Sequence, residues 1–263
     1  SDGEVFTSVD TPGLPPGAPV AGSDDPTSYP EVVDKRDMWS KTYDTGDGKY
    51  TSVIRNAPIH YMDPATGMWQ DIDTTIVRKS GSYVNERNLM YTDIGSEAGA
   101  GVSIVRGDSG ASISYRVTEM GFGGEAGYDP VQGVQPVAAQ VDGSVLNYEG
   151  AFPAVTEQYI IRNGEVKQNF VMTGLVDVPE GAQYLQFVME YDIGSLDVWA
   201  DGEQKSSDFT TTNPLELVDP SAGVMAFGLD PAVAYDDGEG IVRLFFDVEF
   251  HDDGIEIVLN VPV

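Results

Sequence analysis

The sequence predicts an all-β protein, an antiparallel β-sandwich, and three observations lead to this fold class. Short runs of β-branched and aromatic residues recur along the chain, separated by residues that favour turns. Apolar and polar residues alternate within several of these runs, as they do in a strand with one face in a core. No window of eleven or more residues shows the 3.6-residue period of an amphipathic helix. Such a pattern is typical of two packed sheets.

The predicted strands begin with two hairpins, because each of two pairs of β-type runs encloses a short loop rich in Asp, Gly or Pro. Their loops are residues 44–48 and 63–67, and their strands are 39–43 with 49–55 and 59–61 with 69–77. Further β-type runs follow to the C terminus: 102–105, 111–117, 144–148, 158–162, 166–172, 184–191, 196–200, 223–228, 241–250 and 255–261.

Composition divides the chain into four segments. Residues 1–33 contain six of the sixteen prolines, and because proline fixes φ and lacks an N–H this segment is predicted to be an extended arm. Residues 34–120 and 144–263 are predicted as two β units, joined by a Gly- and Pro-rich connection at 121–143. The alternative is a single continuous sandwich in which 121–143 is one long loop.

The arm carries a short β-prone run that includes Val5, Phe6 and Val9 and lies ahead of the proline block. A strand with no local partner must find one in its own sheet or in that of a neighbour. We expect residues 4–9 to pair with an edge strand of another subunit, with Phe6 entering the core of that neighbour. The other interpretation is a flexible terminus.

The charge of the chain restricts its partners. Asp and Glu total 43 against 14 Lys and Arg, so the formal net charge is −29, which repels nucleic acid and anionic lipid. Cysteine is absent, which excludes disulfides, zinc–thiolate sites and thiol nucleophiles. No apolar run has the length of a membrane helix. We therefore predict no nucleic-acid partner and no membrane insertion, and the strong acidity suits a salt-adapted protein, a calcium-rich exterior or a surface-exposed assembly.

Few residues are candidates for catalysis. Asp71 and Asp73 are two apart on a predicted strand, as a pair of glycosidase carboxylates could be, but 43 acidic residues produce this spacing often by chance. His60 lies on a short strand and is predicted to have a structural hydrogen-bonding role, and His251 precedes a turn and is predicted to be a surface residue. We therefore predict no catalytic residue and no enzymatic activity.

Calcium is the predicted cofactor, if the chain has one. Acidic loops of extracellular β-proteins supply the several oxygen ligands that this hard cation requires. The alternative is that these residues are solvated, because Asp-Gly is itself a turn sequence. The candidate ligands are Asp44 and Asp47, then Asp236, Asp237 and Glu239, and finally Asp252 and Asp253.

Two stretches resemble a known family. Residues 57–61 read Ala-Pro-Ile-His-Tyr and residues 67–76 read Gly-Met-Trp-Gln-Asp-Ile-Asp-Thr-Thr-Ile. Residues 146–167 follow in the matching order, with Leu-Asn-Tyr, then Ala-Phe-Pro-Ala-Val and finally Val-Lys. This order resembles the N-terminal β module of bacterial wall-associated and Rhs (YD-repeat) extracellular surface proteins. The resemblance implies an extracellular β-sandwich without enzymatic activity, in which Tyr61 and Trp69 are core anchors.

Two functions remain open at this point. The first is a non-enzymatic, secreted structural protein, a cell-surface or extracellular fibre subunit that assembles with itself by exchange of the N-terminal strand. The alternative is an extracellular module that binds a carbohydrate or another cell-wall component. Such a module is expected to present an exposed aromatic side chain to a polysaccharide, and Trp199 beside Asp201 and Gly202 is the candidate.

Overall fold

The computed structural model describes residues 25–125, 127–174, 176–235 and 240–263, and strands dominate these ranges. Helix there is limited to two single turns of 3-10 helix, at Pro26–Ser28 and Val33–Lys35. The first twelve strands are β1 Ser40–Gly46, β2 Lys49–Ile54, β3 His60–Asp63, β4 Met68–Asp71, β5 Val77–Lys79, β6 Ser82–Asn85, β7 Met90–Ile94, β8 Val102–Arg106, β9 Ser112–Gly124, β10 Gly127–Gly133, β11 Gln140–Asp142 and β12 Val145–Phe152. The second twelve are β13 Val155–Arg162, β14 Glu165–Met172, β15 Ala182–Asp192, β16 Asp197–Ala200, β17 Glu203–Lys205, β18 Phe209–Thr211, β19 Leu215–Asp219, β20 Val224–Leu229, β21 Val233–Tyr235, β22 Ile241–Arg243, β23 Phe245–His251 and β24 Gly254–Pro262.

The strands of the described ranges form three larger sheets and three separate hairpins, and the pairings are antiparallel. The largest sheet has ten strands. Nine follow the order β18-β23-β24-β15-β9-β8-β7-β6-β5, and the tenth, β10, pairs with the C-terminal half of β9. Two four-stranded sheets have the orders β11-β12-β13-β14 and β17-β16-β19-β20. The hairpins are β1-β2, β3-β4 and β21-β22. The two hairpins predicted at the start of the chain are therefore present, and the all-β prediction is confirmed.

One apolar core lies between the sheets. Because side chains of a strand alternate between its two faces, the core-facing residues of β9 and β15 are every second one, except at a β-bulge in β9 around Thr118. Phe187 lies opposite Met120 on one side and Leu259 on the other. Its ring stacks on Phe170 of the β11–β14 sheet with centroids 3.9 Å apart, and Phe152 packs edge-on at 5.9 Å. This face-to-face contact between two sheets is that of the predicted β-sandwich.

The segment 121–143, predicted as a connection, contains strand structure. It includes the end of β9, all of β10 and β11. The ten-stranded sheet also takes strands from both sides of this segment, since β5–β9 pair into the same sheet as β15, β23 and β24. The division into two β units stays a prediction. If the chain has two units, they share the ten-stranded sheet.

The end of the predicted N-terminal arm is bound to its own chain. The N–H of Val32 donates to the carbonyl of Thr42 at 2.8 Å, and the N–H of Asp44 donates to the carbonyl of Pro30 at 2.9 Å. Residues 30–32 therefore run beside β1 in an extended conformation, and the extent of the arm, residues 1–33, stays a prediction. The segment that carries Val5, Phe6 and Val9 lies outside the described residues.

A carboxylate lies inside the core. Glu157 is 2% exposed and shares its face of the sheet with Tyr148, the residue opposite it on β12. The hydroxyl of Tyr159 and the side-chain amide of Gln168 donate to Glu157 Oε1. Burial raises the pKa of Glu157, and these two hydrogen bonds only partly oppose the rise. Folding therefore favours the protonated form of this side chain.

We predict that Phe187→Ala lowers the free energy of unfolding by about 3–5 kcal/mol, the usual cost of removing a buried phenyl ring and leaving a cavity. Phe187 is 1% exposed and contacts two aromatic rings of the facing sheet. Urea denaturation measures the change. Val224→Ala is the control, because Val224 is 56% exposed and its truncation should change the stability little. Equal effects of the two substitutions would contradict the described core.

We predict that Glu157→Gln removes the part of the pH dependence of the unfolding free energy that comes from the titration of Glu157. Since the pKa of Glu157 is higher in the folded than in the unfolded chain, its contribution is complete below the unfolded pKa. That contribution is lost as the pH rises through the folded pKa. Relative to wild type, Glu157→Gln should gain stability as the pH rises from the ordinary glutamate pKa of 4.5 through the raised pKa of the folded chain.

The gain is measured as the difference in unfolding free energy between variant and wild type across this pH range. Glu216→Gln removes a charge from an exposed position on β19 and serves as the control, with a difference that stays nearly constant. A Glu157→Gln difference that is equally independent of pH would contradict the burial of this carboxylate.

A candidate binding groove on the ten-stranded sheet

A groove of about 880 Å³ crosses one end of the ten-stranded sheet. Residues of seven strands line it, from β6 at one side to β23 and β24 at the other, together with the β7–β8 and β23–β24 loops. Its polar side chains come from the face of the sheet opposite the core. These include Asp93, Ser103, Ser114, Arg116, Glu190 and Glu256.

The antiparallel register places the polar side chains of the groove in two rows. Residues directly opposite each other on neighbouring strands project from the same face, so a row that crosses three strands presents three adjacent side chains. One row crosses β7, β8 and β9, and the other crosses β9, β15 and β24. In order, they are Asp93, Ser103 and Ser114, then Arg116, Glu190 and Glu256.

The position of the groove is fixed by the neighbouring residues on the same strands, whose side chains are buried in the core. Tyr115, Tyr191 and Ile255 alternate with the groove residues and are buried. The rings of Tyr115 and Tyr191 stack with centroids 4.7 Å apart. A shift of register by one residue would bring these aromatic rings to the solvent and the charged residues into the core. The core thus fixes which side chains face the groove.

The groove is strongly acidic. Five carboxylates and one guanidinium line it. The guanidinium of Arg116 donates to Glu190 Oε2 from Nε at 2.9 Å and from Nη2 at 2.6 Å, so this cation is already paired within the lining. The remaining carboxylates leave the groove with a net negative charge. Such a lining attracts a ligand that carries positive charge.

Three side chains with metal-binding chemistry converge at the edge of the groove. Glu249, His251 and Glu256 each offer one ligand atom, and these atoms all lie within 4.8 Å of one another. His251 and Glu256 also line the groove. Burial raises the pKa of Glu256, and the neighbouring charge of Glu249 adds to the rise. In the part of the chain that the structure describes, this is the cluster whose side chains could together hold a metal ion.

The structure places His60 and Asp71 in an ion-pair network away from the groove. His60 is fully buried, its Nδ1 lies 2.6 Å from the carbonyl oxygen of Asp37, and its Nε2 lies 3.5 Å from Asp71 Oδ1. Arg36 and Lys41 contact the same Asp71 carboxylate. The network ties β3 and β4 to β1 and to the segment before it, in agreement with the structural role expected of His60.

Asp71 and Asp73 are engaged by different partners. Burial alone would raise the pKa of Asp71, but the hydrogen bond from Lys41 and the charges of Lys41 and Arg36 lower it overall. Hydrogen bonds from Thr75 lower the pKa of Asp73, which also pairs with Arg87 at 3.1 Å. Both carboxylates favour the ionised form, whereas a general acid needs a raised pKa. This pair does not have the properties of a glycosidase dyad.

The predicted calcium ligands at the β1–β2 turn have local roles. Asp44 accepts a hydrogen bond from the N–H of Gly46 at 2.8 Å, and Asp47 adopts a positive φ of 54° within the turn. Calcium binding there stays a prediction. Asp236, Asp237 and Glu239 lie outside the described residues. Asp253, from the last candidate group, lines the groove.

The aromatic residues singled out from the sequence lie in different settings. Tyr61 is buried, whereas Trp69 is half-buried and lies opposite Met62, on the other face of the β3–β4 hairpin. Trp199 is also half-buried, and its indole nitrogen is shielded from solvent without a hydrogen-bond partner. The expectation of an exposed aromatic surface at Trp199 is therefore wrong.

Sequence reasoning missed both the groove and the three converging side chains. The predicted strand ends at residue 250 and leaves His251 as a surface residue before a turn, whereas β23 includes it. The signal that was available is the spacing of Glu249 and His251, which are two residues apart and therefore share a strand face. Glu256 could not be placed beside them without the register of β24.

Comparisons with known proteins give one weak relative. The chain is 24% identical over 175 residues to a protein named wall-associated protein from Geobacillus stearothermophilus. The match covers 65% of this chain and 66% of the relative, just under two thirds of its length. No family model matches the chain, and no solved structure matches it. The match supports the resemblance to wall-associated proteins and does not extend to Rhs or YD-repeat proteins.

The structure was also searched for segments that could cross a membrane as a helix. In the parts of the chain that the structure describes, no helix is long and apolar enough to do so.

Proposed function

We propose that this chain is a non-enzymatic cell-surface protein that associates with the cell wall and holds an amino-bearing wall component in its acidic groove. The observation that carries the proposal is the lining of the groove, in which five carboxylates accompany a single guanidinium that is already paired. The groove is the place on the described surface where a ligand can contact residues of seven strands at once.

The lining determines the class of ligand. Carboxylates form strong, charge-assisted hydrogen bonds with ammonium groups, and the hydroxyls of Ser103 and Ser114 can bond neighbouring polar groups of a ligand. A polymer rich in phosphate would be repelled by the same carboxylates. Amino groups on the peptides or amino sugars of a wall polymer fit both requirements.

The location in the proposal is supported by the relative from Geobacillus stearothermophilus. Its printed name, wall-associated protein, describes where that protein is found and does not describe a reaction. The all-β architecture and the strong negative charge are compatible with an extracellular module of this kind. The account therefore assigns binding, and no catalytic step, to the groove.

We predict that removing two groove charges weakens wall binding at least about tenfold, because the loss of even one hydrogen bond to a charged group, about 1.5–3 kcal/mol, changes an affinity by that factor or more. The variant is Asp93→Asn with Asp192→Asn, which leaves Glu249, His251 and Glu256 unchanged. Binding is measured by cosedimentation with purified cell walls of Geobacillus stearothermophilus. The matched control is Asp142→Asn with Glu216→Gln, which removes the same charge from exposed positions of the four-stranded sheets.

A second arm of this experiment tests the ligand class. Walls whose amino groups have been acetylated lose the positive charges that the groove is proposed to bind, and they should retain less wild-type protein. If the groove variant binds untreated walls as tightly as the control variant, or if acetylation leaves binding unchanged, the proposed function is wrong.

Self-assembly by strand exchange is a second candidate function, and one feature favours it. β14 is an edge strand of eight residues in the β11–β14 sheet, and it contains no proline. An edge of this length offers a row of main-chain groups to another strand. We propose that the segment with Val5, Phe6 and Val9 of one copy pairs with this edge in the next copy.

We predict that deletion of residues 1–10 leaves a folded monomer that no longer assembles. The donated strand would supply both main-chain hydrogen bonds and the apolar contact of Phe6, about 1.5–3 kcal/mol when buried. Light scattering after size-exclusion chromatography measures the mass, and circular dichroism measures folding. Equal assembly of the full and shortened chains would exclude strand exchange, as would a full chain that stays monomeric.

A further inference from the structure

We infer that Glu249, His251 and Glu256 form a binding site for a divalent transition-metal ion of the Zn²⁺ class. The three ligand atoms lie within 4.8 Å of one another, so small rotations of these side chains bring all three into contact with one ion placed between them. The inference goes beyond the proposed function and does not depend on it, because metal binding here requires no wall component.

The site is built on a rigid scaffold. β23 and β24 form a hairpin with seven consecutive residue pairs, from Phe245 opposite Asn260 to His251 opposite Gly254. Within this ladder Glu249 lies directly opposite Glu256, and His251 follows Glu249 on the same face two residues later. The ligands are therefore brought together by strand pairing, and metal binding does not have to order a loop.

The core prevents this arrangement from slipping. Val248, Ile255 and Ile257 alternate with the three ligands and are buried in the apolar core. A change of register by one residue would expose these side chains and bury Glu249 and Glu256. The two glutamates and the histidine are thus held on the outer face of the sheet at fixed spacing.

The electrostatics of the cluster also favour a bound cation. Two like charges directly opposite each other on neighbouring strands destabilise a sheet, and Glu249 and Glu256 occupy such positions. On the other side of Glu256 lies Glu190, whose carboxylate is occupied by Arg116. Among the described residues, no Lys or Arg forms an ion pair with Glu249 or Glu256 within 4.0 Å. A divalent ion between the two carboxylates would remove their repulsion.

The donor set selects the class of ion. One imidazole nitrogen and two carboxylate oxygens suit Zn²⁺ and its neighbours among the transition metals. Calcium prefers six to eight oxygen ligands, which this set does not supply. Three protein ligands also leave a coordination position open, and because His251 and Glu256 line the groove, that position adjoins the groove.

The inference is tested by calorimetric titration of the untagged full chain with Zn²⁺ alone. A background of magnesium in about 0.15 M salt occupies and screens the weak sites that a chain of charge −29 offers to any divalent ion. We expect one tight site per chain. His251→Gln and Glu256→Gln should each weaken it at least about tenfold, whereas Glu216→Gln, on the β17–β20 sheet, should not.

A spectroscopic measurement separates this site from diffuse binding to carboxylates. Co²⁺ bound through the imidazole in a four-coordinate site gives visible absorption bands that Zn²⁺ should abolish by displacement, and His251→Gln should lack them. The inference is overturned if His251→Gln binds Zn²⁺ as tightly as wild type. It is also overturned if Ca²⁺ binds at this cluster as strongly as Zn²⁺. Circular dichroism confirms that the variants are folded.

Discussion

The antiparallel pairing of β9 with β15 is the interaction on which the remainder of the structure depends. It extends over ten residue pairs and joins the strands that come before residue 125 to those that follow residue 180. On the core side it brings together Tyr115 with Tyr191 and Met120 with Phe187, and on the outer side it brings together Arg116 with Glu190. One register thus determines both the packing of the core and the floor of the groove.

This constraint explains how a chain of charge −29 remains folded while it collects carboxylates on one surface. Burial of large apolar side chains stabilises the sandwich by about 1.5–3 kcal/mol each, and the core side of every central strand contributes some of them. The charged side chains on the outer side therefore do not have to stabilise the fold, and they stay in contact with water. Arg116 and Glu190 form one pair across the two strands, and the other carboxylates of the groove face the solvent or a ligand. The acidic groove is a consequence of strand alternation in a sheet whose other face is firmly buried.

The sequence allowed the fold class to be predicted, because alternation and turn residues are local signals. The predicted loops at 44–48 and 63–67 contain the turns that join β1 to β2 and β3 to β4, although residues 44–46 and 63 still belong to β1 and β3. Sheet order was not predictable, since β9 pairs with β15 across about 70 residues and nothing local specifies that partner. For the same reason the groove was missed: its side chains come from strands that are distant in sequence. The role expected of Trp199 failed because the sequence around it shows a strand but not how much of the side chain the fold covers; the structure leaves Trp199 half-buried, with its indole nitrogen shielded from solvent.

The proposed function requires the outer face of the ten-stranded sheet to be the binding face of this protein. Hydrogen–deuterium exchange with and without amino-bearing cell-wall fragments tests this most directly, because a bound fragment slows the exchange of the backbone amides that it covers. We expect the fragments to protect the segments that contribute Gly95, Ala100 and Gly101 and then His251, Asp253 and Gly254 to the groove lining, and to leave the β11–β14 sheet unchanged. Protection confined to β14, or no protection of the groove loops at fragment concentrations that saturate binding, would contradict the account.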